Sequence, residues 1–274
     1  MSGGAKRVLP GFGLGLGYTM LYLSLVVLIP LSMAVLKASE LNWNQFWETV
    51  WSPQAVAAYK LTFSASLTAA AVNVVFGLIV AWTLVRYDFP FKRVVDALVD
   101  VPFALPTAVA GLVYASLYMK TGWFGQFLVP LGIEGAYSRV GIVLVLVFTG
   151  FPFVVRTVQP VLEEMDSEAE EAAHILGANR WQTFRRVLLP TLIPPALTGF
   201  TLAFARAIGE YGSVIFISSN IPFETEIAPM LVVTRLEAFE YPQAAAVAVL
   251  LLAFSFALLV PVNLLERWSR RYDR

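Results

Sequence analysis

The chain has 274 residues, of which 58% are hydrophobic and 14% charged, and its formal net charge at pH 7 is zero. A soluble domain has roughly a quarter of its residues charged, so this composition excludes an ordinary soluble fold of this size and points to a polytopic membrane protein. The neutral balance provides no general attraction to nucleic acid, and the lack of cysteine excludes disulfides, thiolate metal sites and cysteine nucleophiles.

Six stretches reach the roughly 20 residues that a helix needs to cross a bilayer: 14–36, 61–85, 97–119, 140–158, 193–217 and 244–265. Helices are expected because lipid cannot satisfy backbone polar groups and no strand alternation is visible. Lys6 and Arg7 precede the first stretch, but its apolar run is longer than the core of a cleaved signal and lacks a small-residue cleavage site, so it reads as a retained helix. Gly11, Gly13, Gly15 and Gly17 alternate near its start. Leu16 and Tyr18 stand where the third glycine of a dinucleotide fingerprint would fall and no strand precedes them, so these glycines are expected to allow close helix packing.

Next come Trp43, Phe46, Trp47, Val50 and Trp51, whose spacing of three and four places them on one helical face. An interfacial helix or a surface for an external partner fits that pattern. The third stretch holds Asp100, Pro102, Pro106, Thr107 and Gly111. Prolines free backbone carbonyls, which a membrane tolerates only where protein or water satisfies them, so this stretch either lines a pathway or carries a packing kink. The fourth holds Gly150, Pro152 and Pro160, with Arg156 placed to snorkel to the interface. Lys and Arg concentrate on one side of the spans, including Arg86, Lys92, Arg93, Arg180, Arg185 and Arg186, against Lys37, Lys60, Lys120, Arg139 and Arg235 on the other. That bias places both termini and residues 163–190 in the cytoplasm.

Residues 163–190 form a polar interruption between two apolar stretches. Glu163, Glu164, Asp166, Glu168, Glu170 and Glu171 crowd its first half, and Arg180, Arg185 and Arg186 its second. Ser167 and Glu170 have capping-box spacing, and Ala169, Ala172, Ala173 and Leu176 share a helical face. Gly177 suits the position past a helix end, and Asn179 suits the cap of a second helix. In that helix Trp181, Phe184 and Leu188 share a face, and Pro190 is expected to end it. The expected product is a hairpin of two short helices with an apolar stripe. The acids argue against DNA binding, and nothing near the lone His174 supplies a metal set.

Glu171-Ala172-Ala173, three residues, Gly177, nine residues, Val187, one residue and Leu189-Pro190 resemble the EAA loop of permease subunits of ABC importers, with Val187 where the family prefers Ile. The resemblance implies a coupling loop seated on a cytoplasmic ATPase dimer, with Glu171, Ala172, Ala173, Gly177, Leu189 and Pro190 as the coupling residues. ATP and Mg would then lie on that partner, with no cofactor in this chain. No G-x-x-x-x-G-K-[ST] occurs here, which agrees with that division.

The fifth stretch contains Arg206 and Glu210, placed at i and i+4 to pair. Each ion would cost about 2.5–3.5 kcal/mol at mid-bilayer if unpaired. A structural ion pair and a pathway or gate role both fit, with Thr107 as a further pathway candidate. Residues 203–220 and the tail that follows resemble the sulfate/thiosulfate permease family, specifically the first of its two permease subunits. The likeness covers about residues 61–265 and the first helix. It implies the type I ABC importer permease fold, a sister permease subunit, an external sulfate-binding protein, an oxyanion substrate and a bacterial cytoplasmic membrane. Molybdate or tungstate permeases share much of the same region and are the alternative. An intramembrane enzyme or a passive channel is the alternative of another class, and the spans offer no nucleophile–base pair for the former. The organisation expected is an N-terminal helix with an outer interfacial segment over 1–60, a transmembrane core over 61–265, and a basic tail over 266–274 that holds Arg267, Arg270, Arg271 and Arg274 near the inner leaflet. An amphipathic helix around 227–233 is expected at the outer mouth.

Overall fold

A computed structural model describes residues 12–165 and 168–269, and the side chains of these except 259 and 261–269. Among the described residues every regular element is helical. Five helices are long and apolar enough to cross a membrane: α1 (Phe12–Ala38), α3 (Pro53–Arg86), α7 (Arg139–Glu164), α9 (Arg180–Ile208) and, through Leu258, α12 (Tyr241–Ser269). The short helix α2 (Trp43–Val50) lies between α1 and α3.

The third expected span is not one helix. It is α4 (Lys92–Val99), α5 (Val101–Ala104) and α6 (Thr107–Tyr118). The break falls at Leu105 and Pro106, which are extended, with ψ of 133° and 129°. Pro106 causes it directly: its ring disfavours helical geometry at the residue before it. The fifth span also differs from its expected limits. Its helix starts at Arg180 and stops at Ile208, after which come a turn and the one-turn helix α10 (Val214–Ile217).

The centre of the molecule is α3, α7 and α9 packed together. Ala81, Leu84, Val154, Val155, Val158, Leu162, Leu192 and Phe204 form one buried cluster among them. Ala65, Ala69, Ile142, Val145, Leu146 and Ala207 form a second, which α10 completes with Val214 and Ile217. Many of these side chains are small, as expected where close backbone approach rather than hydrophobic expulsion drives association in lipid. Gly150 shows how close: a Cβ there would lie 2.6 Å from Asn73 Nδ2 and 3.3 Å from Ala203 Cβ.

The remaining elements wrap this centre. Helix α11 (Ala228–Glu237) forms where a short amphipathic helix was expected. It packs on α3 and α12 through Ala58, Tyr59, Leu231 and Val247, and its first N–H is held by Thr62 Oγ1 at 2.8 Å. Helix α2 points Val50 into a small core with Ala38 and Ala246 and leaves Trp43, Trp47 and Trp51 exposed, the first two in edge contact at 5.4 Å. Helix α1 is exposed along nearly its whole length, and a Cβ added at Gly13, Gly15 or Gly17 would meet no other element within 4 Å. Gly11 lies outside the described residues.

Because Gly150 is where α7 meets α3 and α9, Gly150→Val is expected to overpack the centre and cost about 1–3 kcal/mol. Thermal unfolding in detergent should show a lowered midpoint for it and none for Gly13→Val, whose side chain would meet open space.

Candidate functional site

The polar interruption folds as the expected hairpin. Helix α8 (Glu168–Ile175) carries Glu168, Glu170 and Glu171 in its first turn, where the helix dipole favours negative charge. The capping role expected of Ser167 lies outside the described residues, as does Asp166. The far end of α8 closes as a Schellman motif: Ala178 N–H donates to Ala173 O and Gly177 N–H to His174 O, each at 3.0 Å. Gly177 has φ +81°, the left-handed value this motif requires. Two residues later Asn179 caps the next helix, its Oδ1 accepting from Gln182 N–H while Gln182 Oε1 accepts from Asn179 N–H, both at 2.9 Å.

Pro190 does not end that helix. The chain continues through a π turn at Phe184–Leu188, and Leu189 N–H reaches Phe184 O instead of the carbonyl four residues back. The wider turn reconciles proline with helix: Pro190 has no N–H to donate, and its ring would crowd the preceding turn of a regular α-helix. The second helix of the hairpin and the fifth span are therefore one continuous element.

The hairpin is fixed to its own chain on one side only. Thr183 and Leu188 are buried, and Phe184 meets Trp82 edge-on at 5.8 Å. Arg86, at the end of α3, sits 5.4 Å above the Trp82 ring and forms an ion pair with Glu170. The other side is open. Glu171 and Ala172 are exposed, and Ile175, Leu176 and Trp181 are 85%, 87% and 66% exposed. Of the expected stripe, Ala173 turns half inward while Ala169, Ala172 and Leu176 stay outside.

The second group of expected residues meets where two helices stop. Arg206 lies in the last turn of α9, and Glu210 falls just beyond the helix end. They still pair, and the Glu210 side chain is 2% exposed. Its second oxygen accepts from Ser213 N–H at 3.0 Å and Ser213 Oγ–H at 2.9 Å, so the carboxylate also holds the turn into α10. This turn lies against the start of α6. Any side chain at Gly212 would strike Thr107, and any at Gly111 would strike the Ser213 carbonyl. Arg206, Glu210 and Thr107 are thus brought to one locality.

Arg156, which the sequence offered to the interface, has partners within the protein. The Arg156 guanidinium binds both Asp100 oxygens, at 2.8 and 2.7 Å, and Asp96 Oδ1 at 2.6 Å. The sequence signal was present in Asp96 and Asp100, four residues apart on one helix face, but their partner is 60 and 56 residues further on. On the opposite side of the molecule Glu226 is buried and accepts from Gln54 Nε2 at 2.8 Å. Burial pushes its carboxyl above the ordinary value, against the opposing effects of the Gln54 bond and of Arg235. Exposed His174 joins no metal set; among the described residues no group of three or more His, Cys, Asp and Glu side chains could hold an ion.

Residues 73–271 match the family model described as binding-protein-dependent transport system inner membrane component. The chain is 50% identical over 268 residues to the sulfate transport system permease protein CysT of Salmonella typhimurium, covering 97% of each chain. It is 52% identical over 254 residues to the protein of that name in Synechocystis sp., covering 93% of this chain and 89% of the other. Among solved structures it superposes on a bacterial ABC transporter involved in alginate import with a TM-score of 0.72 at 18% identity, covering 91% of this chain and 92% of that one. On the MetNI methionine transporter in an inward-facing conformation the TM-score is 0.60 at 18% identity, covering 84% and 99%.

Removing either member of the Arg206–Glu210 pair leaves the other without its partner, and for Glu210 that means a buried charge. Glu210→Ala and Arg206→Ala are each expected to lower stability by about 1–3 kcal/mol. The double variant should lose less than the sum, and a double-mutant cycle by thermal unfolding reads that coupling.

Proposed function

The chain belongs to the family of binding-protein-dependent transport system inner membrane components, and from that premise we propose that it is the permease subunit of an ATP-driven importer of sulfate and thiosulfate. It is a transport subunit and not an enzyme. The observation that carries the substrate is the half identity, over nearly the full length, to proteins named as sulfate permeases. The observation that supports the coupling is the hairpin, a polar-flanked apolar surface anchored on one side and uncovered on the other.

In this reading the membrane is a bacterial cytoplasmic membrane, and the hairpin and both termini face the cytoplasm, as the distribution of Lys and Arg favours. A dimer of ATPase subunits, holding ATP and Mg, seats the hairpin through Ile175, Leu176 and Trp181. Glu171, Ala172 and Ala173 present the α8 side of that surface. Gly177 sets the turn without which the two helices could not lie side by side. Leu189 and Pro190 lie at the exit of the π turn, where a push on the hairpin enters α9. A sister permease subunit completes the translocation path, and an external sulfate-binding protein delivers the anion. Helix α1, exposed and apolar, has its surface available to lipid and to that sister subunit. Arg206, Glu210 and Thr107 sit at the turn between α9 and α10, where the guanidinium can contribute positive potential to an anion while Glu210 restrains it.

Uptake of radiolabelled sulfate in a strain lacking its own permease should be restored by this chain with its partners. Unlabelled thiosulfate should compete better than molybdate; stronger competition by molybdate would move the assignment to the molybdate permeases. Replacing Glu171 with Ala together with Gly177 with Val should leave the chain in the membrane but remove ATPase copurification and at least about 90% of uptake, since φ > 0 excludes a β-branched residue. Retention of both complex and uptake would refute the coupling assignment. Arg206→Ala should reduce uptake more than membrane abundance, whereas equal loss would make the pair purely structural.

A further inference from the structure

Helix α7 leads directly into the hairpin, and Arg156 lies about two turns before its end. A guanidinium has five N–H donors, and here all are used. Nε donates to Asp100 Oδ1 at 2.8 Å. Nη2 donates to Asp100 Oδ2 at 2.7 Å and to the Asp96 carbonyl at 2.8 Å. Nη1 donates to Asp96 Oδ1 and to Gln159 Oε1, both at 2.6 Å. Asp96 and Asp100 belong to the end of α4, so one side chain of α7 grips the inner half of the broken third span, and Gln159 holds that side chain in place.

The outer half of the third span also rests on α7, with Ala115 in a buried cluster beside Ile142 and Val145 and Tyr114 5.3 Å from Phe148, but it has a second anchor. Helix α6 packs against the turn that carries Glu210, at Gly111 against Ser213 and at Thr107 against Gly212. Between the halves stand Leu105 and Pro106. Pro106 donates no backbone bond, and the helical bonds resume only with Val109 N–H to Pro106 O at 2.9 Å. Two rigid pieces, one gripped by Arg156 and the other packed on both α7 and the Glu210 turn, therefore meet at a point where no helical ladder resists bending.

We propose that Arg156 is a positioning residue that makes α4 and α5 move with α7, so that displacement of the hairpin is delivered through the Leu105–Pro106 joint to α6 and the Arg206–Glu210 turn. This rests on the transport reading above. The cluster is partly exposed, 29% for Arg156, 40% for Asp96 and 50% for Asp100. Ion pairs at such exposure contribute little to stability. What the arrangement supplies is geometry: a planar fork holding two carboxylates and a carbonyl in one register. Lysine, a point charge with a single nitrogen, cannot reproduce that grip.

The test uses the reconstituted complex of both permeases, ATPase and binding protein, in vesicles where the unaltered chain shows ATP-driven sulfate uptake. Absence of that uptake would refute the transport reading itself, and the linkage with it. Arg156→Ala should lower uptake about tenfold while ATP hydrolysis falls less than twofold and the melting midpoint barely moves. Arg156→Lys should fall between. Exchanging the charges, Arg156→Asp with Asp100→Arg, should recover much of the uptake. The chain has no cysteine, so spin labels can be placed at will. The distance between labels at Leu98 and Glu163 should stay constant between nucleotide-free and ATP-trapped states, and that between Leu98 and Val113 should change. Parallel loss of uptake, hydrolysis and melting midpoint would reduce Arg156 to a structural pin. A Leu98–Val113 distance that stays fixed would overturn the joint.

Discussion

Lipid offers no hydrogen bonds, and this constraint governs how the chain is built. Every backbone group at membrane depth must find a partner within the protein. Long uninterrupted helices such as α3 meet the requirement by themselves. The chain nevertheless breaks its helices at Leu105–Pro106 and after Ile208, and loosens one at Phe184–Leu188. Each irregularity has its own protein partners. Ser213 N–H is taken by Glu210, Leu189 N–H by Phe184, and Leu105 N–H by Val101. Two of these irregularities, at the start of α6 and the end of α9, adjoin one another, and that is where Arg206, Glu210 and Thr107 meet.

The same constraint explains the small side chains at the centre. Helices in lipid are not pressed together by the hydrophobic effect, so they associate by close packing. Asn73 against Gly150 is one example, with Ala203 completing the contact. Such packing transmits displacement well, because a close-packed interior neither compresses nor flows. In the transport reading proposed above that property is needed, since the hairpin and the Arg206–Glu210 turn lie at opposite ends of α9.

The hairpin obeys different rules. Its turn is held by local chemistry: a Schellman closure at Gly177, a reciprocal cap between Asn179 and Gln182, and acids at the positive end of α8. It needs few tertiary contacts to keep its shape, and the Arg86–Glu170 pair with the Trp82–Phe184 contact orients it against α3. A self-supporting element on a rigid helix suits a part that must present the same face to a partner while the whole assembly moves.

Local features were legible from residues alone. Apolar stretches of membrane-spanning length, the positive turn at Gly177, the cap at Asn179 and the i, i+4 pairing of Arg206 with Glu210 all depend on neighbours a few residues apart, which a linear pattern records. The break at Pro106 was foreshadowed by proline, but hydropathy treats 97–119 as one span because a kinked segment is as apolar as a straight one. Pro190 misled for the opposite reason: proline usually ends a helix, and only the neighbouring π turn lets this one pass. The four-bond grip of Arg156 on Asp96 and Asp100, the meeting of Thr107 with Gly212, and the tie from Arg86 to Glu170 join residues tens of positions apart. The order of residues determined the class of molecule and the shape of its polar hairpin, since those follow from local backbone and solvation energetics. Which charges pair and which helix ends meet was decided only when α3, α7 and α9 packed, because in a medium without water a buried charge takes the partner that packing brings to it.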